Sequence, residues 1–146
     1  MAAAKPWTSR AAIRIEEFVS LATFESGPVQ RQVQISGWSA FETFDVAVTE
    51  TLSFTRDTAS YDVRIKGWLR WYIRSNPTKE PVEDAWGDKG AWRVHDGAIL
   101  LTTGRGEVKF EFVPEGETGA LKLVSENYLV VHPRGSALPP AMLRRR

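Results

Sequence analysis

Residues 61–74 read YDVRIKGWLRWYIR, and they alternate without a break. Tyr61, Val63, Ile65, Gly67, Leu69, Trp71 and Ile73 share one parity; Asp62, Arg64, Lys66, Trp68, Arg70, Tyr72 and Arg74 share the other. Successive side chains on a strand point to opposite faces, so this pattern predicts a strand with one apolar face and one cationic-aromatic face. At about 3.3 Å per residue it spans roughly 45 Å, far more than the usual strand of five or six residues. Strands that long bend around a curved sheet or a barrel.

Working outward, residues 43–55 supply the partner. Phe44, Val46, Val48, Leu52 and Phe54 lie on one face, and residues 56–60 form the turn of a long hairpin. Upstream, Val29, Val33 and Ile35 alternate with Gln30, Gln32 and Gln34 as another strand, and the parity slips at Gly37-Trp38, which marks a bulge or bend. Ile15, Phe18, Val19 and Ala22 fall at i, i+3, i+4 and i+7, which predicts a helix over residues 9–23 behind an unstructured lead-in; the rival is a first strand at residues 12–15. Residues 75–90 carry Pro77, Pro81 and an acidic excess, and read as a long loop, either a lid or a plain solvated connection. Downstream the punctuation is regular: a strand at 91–95, a type I′ turn at Asp96-Gly97, strands at 98–103, 107–113, 120–124 and 128–132, with a tail from Pro133 that wraps the surface or is disordered. The sum is a mainly β fold of about eight antiparallel strands in meander order with one N-terminal helix. An up-and-down barrel fits it best, because closure removes unpaired edges.

The chain of 146 residues is read as a single domain, with the barrel at 28–133, the helix at 9–23 and the tail at 134–146. Nineteen Lys and Arg against eighteen Asp and Glu leave a net charge of +1, so nothing global draws the protein to nucleic acid or to an anionic membrane. With no cysteine, disulfides and thiolate chemistry are excluded, and a cytoplasmic location is the expectation. The only apolar stretch near the N-terminus is interrupted by Arg14, Glu16 and Glu17, so no signal peptide is expected, and no membrane span is expected because no window approaches roughly 18 apolar residues.

Residues 90–101, GAWRVHDGAILL, follow the pattern G-x-W-x-V-x-D-G-x-aliphatic-L, and an amphipathic strand and a further L-x-L strand come after it. This pattern, with the hairpin at 50–73, resembles the bacterial lipocalin-like domains of the calycin group over residues 45–132. The resemblance implies a barrel that binds a small, largely apolar molecule in its lumen, without a cofactor. It also implies an alternative, since some small calycin-like barrels are cofactor-free cyclases of natural-product pathways. One departure stands out: lipocalins place Gly-x-Trp near the first strand, whereas here the early site is Gly37-Trp38 with no spacer and Gly-x-Trp comes only at residues 90–92.

Glu50 is the sharpest anomaly, a carboxylate on the inward parity between Val48 and Leu52. Inside a lumen it would be desolvated, its pKa would rise, and it could orient a ligand or act as an acid or base. The competing expectation is a bulge over residues 47–51 that turns it to water. Glu50 and Tyr61 are the candidate catalytic groups, and the expected ligand-binding lining is Phe44, Val48, Glu50, Phe54, Tyr61, Trp71, Trp92, Phe110 and Phe112. The opposite face of the long strand interleaves cations with rings. It suits a nucleic-acid platform in isolation, a protein interface, or an ordinary solvent face neutralised by Glu42, Asp45 and the acidic stretch. If that face instead lined the lumen, the pocket would favour an anion. His95 and His132 are the only histidines and lack a third metal-like ligand, and Gly104-Arg105-Gly106 is a hairpin turn without a phosphate-loop context. The expected partner is therefore a small apolar molecule, with a second copy of the chain or another protein as alternatives and no nucleic acid or membrane.

Overall fold

The computed structural model describes residues 15–34, 43–73, 76–115, 118–125, 130–131, 136–137 and 140–146. Residues 15–19 are helical, and eleven strands follow among the described residues. These are β1 (Thr23–Glu25), β2 (Val29–Gln34), β3 (Thr43–Phe54), β4 (Thr58–Ile73), β5 (Asn76–His95), β6 (Ala98–Thr103), β7 (Gly106–Glu115), β8 (Thr118–Leu123), β9 (Val130–Val131), β10 (Ser136–Ala137) and β11 (Met142–Arg145). Nine of them make one antiparallel sheet in the order β1-β11-β8-β7-β6-β5-β4-β3-β2, while β9 and β10 pair separately. Because β1 pairs with β3 as well as with β11, the sheet runs back into itself as a ring. β1 and β2 both lie along β3, against its two halves, separated by a break at Ser26, Gly27 and Pro28.

The alternation read from the sequence sets which residues face in. Even-numbered residues of β3 are buried and odd-numbered ones are not, from Phe44 to Phe54. Their partners on β4 are the apolar parity, since Phe44 opposes Leu69, Val48 opposes Ile65 and Leu52 opposes Tyr61. The cationic parity faces out: Arg64, Lys66, Trp68 and Arg70 are all exposed. The long strand therefore takes the ordinary orientation, and the flipped, cation-lined interior does not occur. The β5–β6 turn has φ of 49° at Asp96 and 74° at Gly97, the paired left-handed values of a type I′ hairpin.

The interior is filled from one end by the helical turn. Ile15 and Val19 are buried. The Phe18 ring meets Phe24 at 5.3 Å and Phe112 at 5.9 Å, Phe24 meets Phe54 at 5.9 Å, and Phe54 meets Trp92 at 5.2 Å, all edge-on. This chain of rings crosses the ring of strands from β7 to β5. Edge-to-face contacts of this kind add about 0.5–1.5 kcal/mol each beyond burial.

Four sequence expectations need correction. The expected loop or lid at 75–90 is a strand over its described residues 76–90, because Asn76–His95 is one twenty-residue strand along all of β4. Pro77 and Pro81 suggested a loop, yet from Asn76 to Gly90 the strand pairs on one side only among the described residues, and an edge tolerates a missing N–H. The helix does not reach residue 23: it ends by Ser20, Leu21 turns the chain at a φ of 61°, and Thr23 already belongs to β1. Of the expected strand at 128–132, the described Val130–Val131 pairs with β10 outside the ring. The tail instead supplies the last ring strand, β11, so the ring spans Thr23 to Arg145 rather than 28–133. Its buried Leu143 is the reason, a single inward side chain too short a signal to read as a strand. The bend at Gly37-Trp38, Glu42, Arg74, His132 and the helix before residue 15 lie outside the described residues.

Candidate functional site

Glu50 sits where three segments converge. The β3–β4 register runs unbroken from Thr43 opposite Arg70 to Phe54 opposite Ala59, so no bulge rescues the carboxylate, and it is fully buried at 0% exposure. Val63 stands opposite it and Leu52 two residues on, both buried. One residue along from the β1 pairing, Ser26 donates its backbone N–H to the Glu50 carbonyl at 3.0 Å and accepts the Glu50 N–H on its Oγ at 3.0 Å. The break between β1 and β2 is thereby fastened to β3 at Glu50 itself.

The carboxylate has two donors. Tyr61 Oη donates to Oε1 at 2.6 Å, and the backbone N–H of Ala141 donates to Oε2 at 3.1 Å. Tyr61 is itself fully buried, with its ring 5.0 Å from Phe110 and nearly perpendicular to it. Burial pushes the Glu50 pKa up; the bonds from Tyr61 and Ala141, and the charge of Arg31, pull against it without cancelling it. Arg31 is on the inward parity of β2, opposite Val46, and is half-buried. The result is a carboxyl group held easier to protonate than an exposed glutamate, with a phenol in short contact. Such a pair can hold a hydrogen-bonding group on a ligand or pass it a proton.

The sequence-predicted lining converges on this interior. Phe44, Val48, Glu50, Phe54, Tyr61 and Phe110 are buried, and Trp71, Trp92 and Phe112 pack half-buried against the same cluster. Trp92 also donates its indole N–H to the Thr55 carbonyl at 3.1 Å, tying β5 to the β3–β4 turn. Ser26, Arg31 and Ala141 were not singled out by sequence reasoning. Two of them act through backbone groups or a small hydroxyl, which no residue pattern flags.

The outer face carries less. Asp45 neutralises Arg70 at 3.1 Å while accepting from Gln30 at 2.7 Å, and Lys79 lies over the Trp68 ring at 4.3 Å. These are the cross-strand pairs of an ordinary solvated face. Two concavities of about 630 and 540 Å3 lie on it, both lined by Thr49, Arg64 and Ala85. Carboxylates stand beside the cations in each: Glu83 and Asp84 with Arg64 and Lys66 in the first, Glu25 and Asp62 with Arg64 and Arg146 in the second. His95 is exposed and 3.2 Å from Asp96. Among the described residues no cluster of three or more His, Asp or Glu is placed to hold a metal ion, and no helix is long and apolar enough to cross a membrane. In comparisons with known proteins, no family model, no curated protein and no solved structure matches the chain.

Proposed function

We propose that the ring is an up-and-down barrel of lipocalin-like type, with β1 and β2 as one interrupted stave, and that it binds a small, largely apolar molecule seated against Glu50 and Tyr61. The observation that carries this reading is a carboxylate at 0% exposure, 2.6 Å from a tyrosine hydroxyl, inside an otherwise apolar core. Burying a charge costs several kcal/mol unless hydrogen bonds offset it, and an apolar residue at position 50 would fill the same space without that cost. A polar anchor for a ligand gives the carboxylate a use that packing alone does not.

Trp71, Trp86 and Trp92 border the cluster, so intrinsic fluorescence reports occupancy. Titration with a panel of apolar alcohols, phenols and amides should find ligands that bind more tightly than about 1 mM, and Glu50→Gln should weaken them by about tenfold. A panel in which nothing binds the natural protein, or in which the Gln variant binds every ligand equally well, ends the reading. The second reading, a cofactor-free cyclase or isomerase, is favoured by the raised pKa of Glu50 beside the Tyr61 phenol, the arrangement of a general acid or base with a polarising partner. For that reading, turnover unchanged in Glu50→Gln removes the carboxylate from the chemistry.

A further inference from the structure

Beside Glu50 the ring of strands closes on itself through β1, and the seam that closes it is short. β1 meets β11 over two residue pairs, Phe24 with Arg145 and Glu25 with Arg144. β11 meets β8 over three, whereas β3 and β4 share twelve from Thr43 to Phe54. The short seam is fastened at its rim instead. Arg146 donates its backbone N–H to the Thr23 carbonyl at 2.8 Å and its guanidinium to Glu25 at 2.6 Å. On the other side of β11, away from the seam, Arg144 forms a fork onto Glu115 of β7 at 2.9 and 3.0 Å. Both arginines are more than half exposed, so water and salt compete for these pairs.

The same segment reaches the buried carboxylate. Ala141, the residue before β11, supplies one of the two donors to Glu50, while Tyr61, deep in the β3–β4 hairpin, supplies the other. If β11 parts from β1, the Tyr61 bond stays and the Ala141 bond goes. Oε2 then lacks its protein donor and faces the gap that has opened. An unsatisfied acceptor in an apolar setting strongly favours a replacement donor.

We infer that β11 is the opening stave of the ring, parting along its seam with β1, and that the ligand it admits is an apolar molecule bearing an O–H or N–H donor that takes the place of the Ala141 amide on Glu50. The inference rests on the interior-ligand reading above, and it adds the route and the donor requirement. It explains how a site lined by fully buried side chains exchanges with solvent: the strands with the long ladders stay paired while the seam breathes. Local openings of this kind are drawn from the parts of a fold with few ladder bonds.

The chain has no cysteine, so a crosslink can be introduced without competition. The double variant Glu25→Cys/Arg144→Cys bridges the seam, and Lys122→Cys/Met142→Cys bridges the other side of β11 at a pair in register with β8. Each is measured oxidised and reduced, by amide hydrogen exchange over residues 141–146 and by the rate of fluorescence gain with 1-anilinonaphthalene-8-sulfonate. Oxidation of the first pair should slow both at least tenfold, and oxidation of the second should leave both near the reduced rates. The single variant Glu25→Gln, which removes one rim ion pair and needs no bridge, should speed both several-fold. The stave is refuted if residues 141–146 already exchange as slowly as β4 in the reduced protein, or if Glu25→Gln changes nothing. Dye uptake that the seam bridge leaves unchanged refutes the route while the interior site stands. Exchange that the bridge suppresses, with no dye uptake in either state, supports the opening strand and counts against the interior site. For the donor requirement, the natural protein should bind an alcohol or phenol at least tenfold more tightly than its methyl ether, and equal affinities overturn it.

Discussion

Replacing Tyr61 by Phe tests the Glu50 site directly, because it deletes one oxygen and little else. The hydroxyl donates to Glu50 at 2.6 Å, both side chains are fully buried, and the ring contact with Phe110 survives the change. A hydrogen bond to an ionised group is worth about 1.5–3 kcal/mol, against about 0.5–1.5 kcal/mol for a neutral pair. Where Glu50 is ionised the loss should therefore be about 2 kcal/mol. With a urea m-value of roughly 2 kcal/mol per molar, the unfolding midpoint falls by about 1 M. The bond from Tyr61 is also the first of the influences that lower the Glu50 pKa against the burial that raises it, so the variant holds Glu50 protonated to a higher pH. Below the ordinary glutamate value of 4.5 the carboxyl is neutral in either protein, and the difference should shrink to the neutral-pair range. Urea unfolding at pH 8 and pH 4, followed by tryptophan fluorescence, measures both. A midpoint shift under about 0.25 M at both pH values would show that this hydroxyl is not bonded to a buried carboxyl group.

Other outcomes follow from the same geometry. Because the folded pKa of Glu50 is raised, its contribution to stability is full below 4.5 and is lost as pH rises through the folded value; Glu50→Gln should gain on the natural protein across that window, read as the difference between two stability–pH curves. Glu115 is shifted the other way by Arg144, so its contribution is present above 4.5 and lost as pH falls; Glu115→Gln should flatten the acid limb of the same curve. Gly90→Ala should cost roughly 1–3 kcal/mol in denaturant unfolding, because a Cβ there would collide with the Thr102 carbonyl. Leu21 is 71% exposed at a φ of 61°, just past the helix, so Leu21→Gly should raise stability by about 0.5–1 kcal/mol; a loss would mean that the side chain is held by a contact.

The β3–β4 hairpin could be read from the sequence because both strands are two-sided: one face buried, one wet, over a dozen residues. Glu50 was conspicuous for the same reason, and its closeness to Tyr61 follows from the register, which puts Leu52 opposite Tyr61 and Glu50 next inward. β5 escaped because its outward positions carry prolines and charges and only Val82 in its first half is fully buried, a pattern that hydrophobic periodicity cannot separate from a loop. β11 escaped because four residues with one inward leucine carry almost no periodic signal; its place comes from pairing with strands far away in sequence. The same limit hid Ser26 and Ala141, whose share in the site is made by main-chain groups and one hydroxyl.

Closing the ring with β11 also dictates the order of events at synthesis. Phe24 and Arg145, the pair that completes the circle, are 121 positions apart, so one of the earliest strands waits for one of the last. At about 5–20 residues per second a nascent chain takes about 1–4 seconds to pass from β8 to the end of β11, as an open sheet with β1 and β8 each lacking one neighbour. Bringing such distant partners together is slow as well as late, since ordering the intervening chain must precede the reward. Exposed strand borders invite pairing between molecules, so yield during expression should depend on how fast this last stave arrives.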